Sequence, residues 1–443
     1  MLIFKIKQIC NKLLLKGRII MGFVILQYYF IYFIILIAFV IIHNKRIGFI
    51  DCMELYYIFV VAFSLYANIG LYSKATSGLY STNEIITYCM CSIVGISAFN
   101  IGYIFCTKTN AKEYIKHSIE SNFIKQNNCN NCNKWNIFKK KYDALYLVIC
   151  LLLLIFLIIY RNDFISIVMN IGQAKGYVET AQRAPRTSIS GPKNLAKKYS
   201  YLIVMLFVFY RCFLTKKIKL IDIFLYLVLI FYFIAGGNRT SFLQIILLTL
   251  VYINYRVKML KSTGSFLLFF LLLFFMVALA NLRAANSILG MFNVLKELGL
   301  DSFAFTKSGE FNNTTGTLMN YIQLNVSGLM VFSLGSTYIT ELLLFIPTFL
   351  YPNRPLPLPE KYMLDFFPNA IPGTGHGWFI LNDGYISFGL LGIAIELFLL
   401  GMLLSFMYNK FMKNICNPLI SYCYAALLLT TLEIVRGSVL GGI

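Results

Sequence analysis

The sequence predicts an all-α, polytopic helical membrane protein. Three observations predict it. Of 443 residues, 59% are hydrophobic and only 13% charged, too little polar surface to cover a water-soluble globule. About ten apolar runs are long enough, or nearly so, to cross a bilayer. Backbone amides in hydrocarbon must find partners within their own segment, so these runs form helices rather than open strands.

The elements follow in chain order. Met1 to Arg18 carries Lys5, Lys7, Lys12, Lys16 and Arg18, and reads as a basic amphipathic stub at the membrane surface. The run Ile19–Ile42 has no small-residue cleavage site after it, so it reads as a retained helix rather than a signal peptide. Further runs are Leu55–Tyr72, Glu84–Cys106, Ala144–Tyr160, Ser200–Leu214, Leu220–Ala235, Ser241–Tyr255, Ser265–Asn281, Ile386–Tyr408 and Leu419–Val435. Two loops separate them early, 107–143 and 161–198, and a long polar insertion spans 282–385. The whole chain, 1–443, reads as one transmembrane domain.

Charge sets the expected orientation. One alternating set of short connections holds Lys45 and Arg46; Lys216, Lys217 and Lys219; Arg256, Lys258 and Lys261; Lys410 and Lys413. The other set holds Lys74 and Arg239 alone. Ten basic residues against two place the first set, with the basic loop 107–143, in the cytoplasm. Loops 161–198 and 282–385 are then extracytoplasmic, as is the N-terminal stub, against its five basic residues. The formal net charge of +21 is explained by this orientation and by anionic lipid, not by nucleic acid.

The 11 cysteines lie mostly inside apolar runs and form no disulfide framework. Cys129 and Cys132 make a lone CxxC that, with Cys106 and His117, gives only a weak zinc pattern. Within 282–385, Ile288, Leu289, Phe292, Leu295 and Leu298 recur at helical spacing, as on a surface helix. The stretch 326–350 is apolar, but Tyr338, Thr340 and Glu341 fit a re-entrant or surface element better than a span. Pro352, Pro355, Pro357 and Pro359 predict an extended, helix-free segment.

Candidate site residues concentrate on the outer side. Arg239 closes a Gly236-Gly237-Asn238-Arg239 turn, which reads either as a diphosphate cradle or as a snorkelling anchor. Arg283 follows an apolar run, and Arg354 is held among prolines. Guanidinium suits phosphate through its planar, bidentate donors. Arg436 follows Glu433 by three residues, as an intrahelical pair or as a cation aimed into a polar cavity. His376 lies among Gly373, Gly375 and Gly377, where it suits proton transfer, and Asp383 is placed to orient or replace it as base. Glu396 sits inside an apolar run, either as a functional group or as a hydrogen-bond partner for a neighbouring helix.

Several of these segments occur in a recognisable order. They are Ala235 to Phe242, the Arg283 position, Leu344 to Pro355 with Asn353-Arg354-Pro355, the His376 loop, Phe388 to Gly392, and Glu433 to Arg436. Together they resemble Wzy-type polysaccharide polymerases, closest to the enterobacterial common antigen polymerase group. The resemblance covers about residues 220–436; the first half shares only hydropathy. Gly437 stands where that family usually has an acidic residue, and the family usually continues with another apolar run.

The resemblance implies an architecture shared with O-antigen ligases and GT-C-like glycosyltransferases. It implies a metal-independent enzyme with no cofactor, acting at the outer face of the bacterial inner membrane. Donor and acceptor would both be undecaprenyl-diphosphate-linked oligosaccharides, with a chain-length regulator as a further partner. His376 and Asp383 would be catalytic, and Arg239, Arg283, Arg354 and Arg436 would bind diphosphate. An O-antigen ligase would show the same local chemistry. A lipid-linked oligosaccharide flippase would want two related halves, and no internal repeat is visible.

Overall fold

The computed structural model describes residues 2–47, 54–107, 309–344, 355–369, 377–414 and 418–437, with Leu250, Asn254, Ile346, Tyr351 and Asn353 as single positions. The described elements are α1 (Leu2–Ile47), α2 (Leu55–Thr76), α3 (Thr82–Cys106), α4 (Gly309–Val326), α5 (Ser336–Leu343), α6 (Leu358–Phe366), α7 (Leu381–Phe388), α8 (Leu390–Lys413) and α9 (Pro418–Arg436). Among them, segments Met21–Arg46, Leu55–Thr76, Thr82–Cys106 and Leu390–Lys413 are long and apolar enough to cross a membrane. The architecture is that of a helical membrane protein. The apolar runs between Ala144 and Asn281 fall outside the described residues, apart from Leu250 and Asn254.

α1 is continuous through the basic stub. Its 46 residues correspond to about 70 Å at 1.5 Å per residue, more than twice a hydrocarbon core. The helix also runs past Ile42 and takes in His43. This histidine is fully buried, with Nε2 3.1 Å from Glu54 Oε2. The Tyr103 hydroxyl donates to the other Glu54 oxygen at 2.8 Å. A histidine at this depth needs a partner, and the carboxylate just before α2 supplies it.

α2 and α3 form a hairpin closed by residues 77–81. The sequence writes the start of α3 plainly. Ser81 Oγ accepts from the Glu84 amide, and the Glu84 carboxylate accepts from the Ser81 amide at 2.7 Å, a capping box that satisfies two orphan donors. α8 then packs along α3 in parallel. Gly102 abuts the Phe398 backbone, Gly401 abuts the Phe99 backbone, and Thr107 Oγ1 bonds Ser405 Oγ at 3.1 Å. Small residues at the seam let the two backbones approach closely, which is what drives helix association where lipid removes the usual hydrophobic force.

This arrangement gives the bundle two chemically distinct ends. Lys45 and Arg46 end α1, Lys410 and Lys413 end α8, and Arg46 donates to the Ile104 carbonyl near the end of α3. These basic residues, read as loops from the sequence, lie in the last helical turns, where cations offset exposed carbonyls. The α2–α3 turn lies at the other end.

The polar insertion departs most from expectation. Part of it, α4, is a helix packed into the bundle against α2 and α3, with Leu318, Met319 and Ile322 fully buried beside Thr314, Thr315 and Thr317. Gly70 makes this possible, since a Cβ there would lie 2.2 Å from Thr315 Oγ1 and 2.6 Å from the Phe311 carbonyl oxygen. In 326–350 the described helix is α5, eight residues long and too short to span. The segment read as helix-free contains α6, because proline is at home in a first helical turn, where its missing N–H has no partner to lose. The run Ile386–Tyr408 is broken at Gly389, whose φ of +65° starts α8 afresh.

Candidate functional site

At the end of the bundle opposite the basic turns, α4, α6 and α7 meet the α2–α3 hairpin in a buried polar cluster. Asn320 of α4 is its hub. The Tyr80 hydroxyl donates to Asn320 Oδ1 at 2.7 Å, and Asn320 Nδ2 donates to the Tyr362 hydroxyl at 2.8 Å. One turn earlier, Thr317 Oγ1 accepts from Asn382 Nδ2 at 3.1 Å. Tyr321, Tyr362 and Trp378 surround one another, with ring centroids 5.7–6.0 Å apart. Burial pushes the Tyr362 hydroxyl up to about 12, against a lowering bond from Asn320. Burial and then Asp365 raise Tyr321, and burial and then Glu84 raise Tyr80. These phenols therefore stay neutral near pH 7.

Asp383 lies in the first turn of α7 and is fully buried. The Trp378 indole N–H donates to Asp383 Oδ1 at 2.9 Å. A carboxylate at a helix start is also favoured by the helix dipole. Trp378 follows His376 by two residues, so Asp383 anchors the chain that leaves the histidine. Full burial fits this positioning role better than that of a base reaching substrate.

α9 returns from the basic end to this one. The Ile380 amide donates to the Val435 carbonyl at 3.2 Å, which brings the end of α9 beside the start of α7. Arg436, exposed, is thus at the same end as Asp383. His376, Arg239, Arg283 and Arg354 lie outside the described residues, as do His117, Cys129 and Cys132. Asn353 and Pro355, either side of Arg354, are described.

Glu396 makes the hydrogen bond to a neighbouring helix that its apolar setting allowed. The Tyr338 hydroxyl of α5 donates to its Oε2 at 2.8 Å, so the carboxylate ties α5 to α8. Thr337 and Ser387 share a hydrogen bond nearby, and the Ser333 and Leu334 amides cap carbonyls at the end of α7.

Sequence reasoning missed Asn320, Tyr362 and Tyr80. Phe311, Thr315, Leu318 and Ile322 recur at helical spacing and mark the buried face of α4; that period was the available signal. Comparison with protein-family models, with curated proteins and with solved structures finds no match for this chain.

Proposed function

We propose that this chain is a polymerase that joins undecaprenyl-diphosphate-linked oligosaccharide repeat units into a surface polysaccharide, by glycosyl transfer at the outer face of the bacterial cytoplasmic membrane. The reading begins from the ordered set of segments between Ala235 and Arg436. The observation that carries it further is the buried polar cluster at the end of the helical bundle remote from Lys45, Arg46, Lys410 and Lys413. Basic turns favour the cytoplasm, which supports an outer location for Asp383 and the chain leaving His376, the side on which this reading has the repeat units joined.

In this mechanism a hydroxyl of the incoming repeat attacks the anomeric carbon of the growing glycan. The carbon–oxygen bond to the diphosphate breaks, and undecaprenyl diphosphate leaves with the electron pair. His376 takes the hydroxyl proton, a contribution of roughly 10²–10⁴-fold for a positioned base. Arg239, Arg283, Arg354 and Arg436 offset the charge developing on the departing diphosphate. The membrane confines both lipids to one plane, which supplies proximity.

The test is ladder formation by purified protein from lipid-linked repeat units. Wild type should give a ladder, while His376→Ala and Arg354→Lys should give none or only short products. An ammonium cannot reproduce the planar fork of guanidinium on a diphosphate. A full ladder from His376→Ala removes the base assignment; no ladder from wild type, with repeat units that another polymerase extends, removes the function.

Orientation has its own check. Asn369, just past α6, and Asn414, just past α8, are both exposed and lie toward opposite ends of the bundle. In a cysteine-free background, an impermeant thiol reagent on intact cells should label Asn369→Cys and spare Asn414→Cys. The reverse pattern would put the polar cluster in the cytoplasm.

A further inference from the structure

In the sequence Lys74 is simply a basic residue of a short connection, yet the structure gives it an unusual setting. It lies in the last turn of α2, four residues after Gly70, on the same face of the helix. Gly70 lets α4 come so close to α2 that Lys74, one turn on, must lie across α4. It does so at the next glycine. A Cβ built at Gly316 would stand 3.0 Å from Lys74 Nζ and 3.1 Å from its Cε. Two glycines, one on each helix, thus leave the space in which the lysine side chain lies across the seam.

The ammonium held there is half-buried, and no carboxylate lies within ion-pair distance of it among the described residues. A half-buried cation without a counter-charge is costly unless something anionic completes it. Its neighbours on α4 belong to the polar cluster: Thr317 is the next residue, and Asn320 is one turn beyond Gly316. Lys74 therefore stands at the Asp383 end of the bundle.

We propose that Lys74, laid across Gly316, is a further ligand for the phosphate-bearing headgroup of the polyprenyl-diphosphate substrate. The inference rests on the polymerase reading for the identity of that lipid, and on geometry for the site. An ammonium acts as a point charge and complements arginines, which supply bidentate geometry. Lys74 belongs to the first half of the chain, so it would bring α2 into contact with substrate.

The test uses full-length protein in detergent and farnesyl diphosphate as probe, which carries the diphosphate and a short prenyl tail. Wild type should bind it saturably and more weakly as salt rises. Lys74→Ala should weaken binding by about tenfold or more, as for loss of one charge-assisted contact. Lys74→Arg should stay within a few-fold of wild type. Without ligand, the thermal midpoint of Lys74→Ala should equal or exceed that of wild type, since no ion pair is lost and an uncompensated charge is removed. Inorganic diphosphate should compete, and phosphatidylglycerol at equal concentration should not.

Equal binding by wild type and Lys74→Ala, or no binding by wild type, overturns the proposal. Competition by phosphatidylglycerol overturns it too, because the site would then hold ordinary anionic lipid. The two readings fail separately. A ladder from wild type with unchanged binding in Lys74→Ala sinks this site and leaves the polymerase. Lysine-dependent diphosphate binding by a chain that makes no ladder does the opposite.

Discussion

Gly102→Val is expected to abolish recovery of folded protein, and Gly401→Val to do the same. Even the first carbon of the new side chain has nowhere to go. A Cβ at Gly102 would lie 2.1 Å from the Phe398 carbonyl oxygen, and one at Gly401 would lie 2.3 Å from that of Phe99 and 2.8 Å from the Tyr103 amide nitrogen. These obstacles are helix backbone, which cannot rotate aside as a side chain can. Ordinary overpacking costs about 1–3 kcal/mol. Prising α3 from α8 should exceed about 3 kcal/mol, because the Thr107–Ser405 bond and the Asn409 bond to the Cys106 carbonyl lie on the same seam. Gly22→Ala is the control, since a Cβ there meets nothing within 4 Å. The measurement is yield of monodisperse protein in detergent, with its thermal midpoint. Wild-type behaviour of Gly102→Val would show that the helices do not touch there.

The second large effect is expected at Asp383. Asp383→Ala removes the acceptor for the Trp378 indole and leaves a buried donor unpaired, at a cost of about 1–3 kcal/mol. Asp383→Asn keeps an acceptor oxygen and should fold as wild type. The chain has two tryptophans, so in a Trp135→Phe background emission reports Trp378 alone. Asp383→Ala should shift that emission to the red and abolish the ladder, because the chain leaving His376 loses its anchor. Asp383→Asn should keep the emission and most of the ladder. If Asp383→Asn instead keeps the emission and loses the ladder entirely, the carboxylate charge takes part in the chemistry and Asp383 displaces His376 as base.

What the sequence made legible, and what it hid, have separate physical causes. α2 and α3 were visible because apolar length is a local signal. α8 was visible as a run, but hydropathy is blind to φ, so the break at Gly389 was not. α4 was hidden because threonine and asparagine count as loop residues on any transfer scale, although here they are buried against other helices. Glu396 stood out as a charge within an apolar run, and Asp383 as a carboxylate seven residues after His376. Lys74 did not, because its meaning depends on Gly70 and Gly316, which come together only when residues about 240 positions apart meet. Pro359 misled because proline ends a helix interior yet starts one readily.

α4 also bears on how the molecule is made. Of its 18 residues, few could hold it in hydrocarbon, and its buried face is matched to α2 and α3 rather than to acyl chains. Such a segment has no reason to leave the translocation machinery sideways into lipid, as α2 or α8 would. It must be delivered with its surrounding chain and then dock onto a hairpin already waiting. The Tyr80–Asn320 bond, spanning 240 positions, can close only after that docking. The polar cluster is therefore among the last parts of the protein to exist, and a nascent chain carries α1, α2 and α3 through biogenesis before Tyr80 has met Asn320.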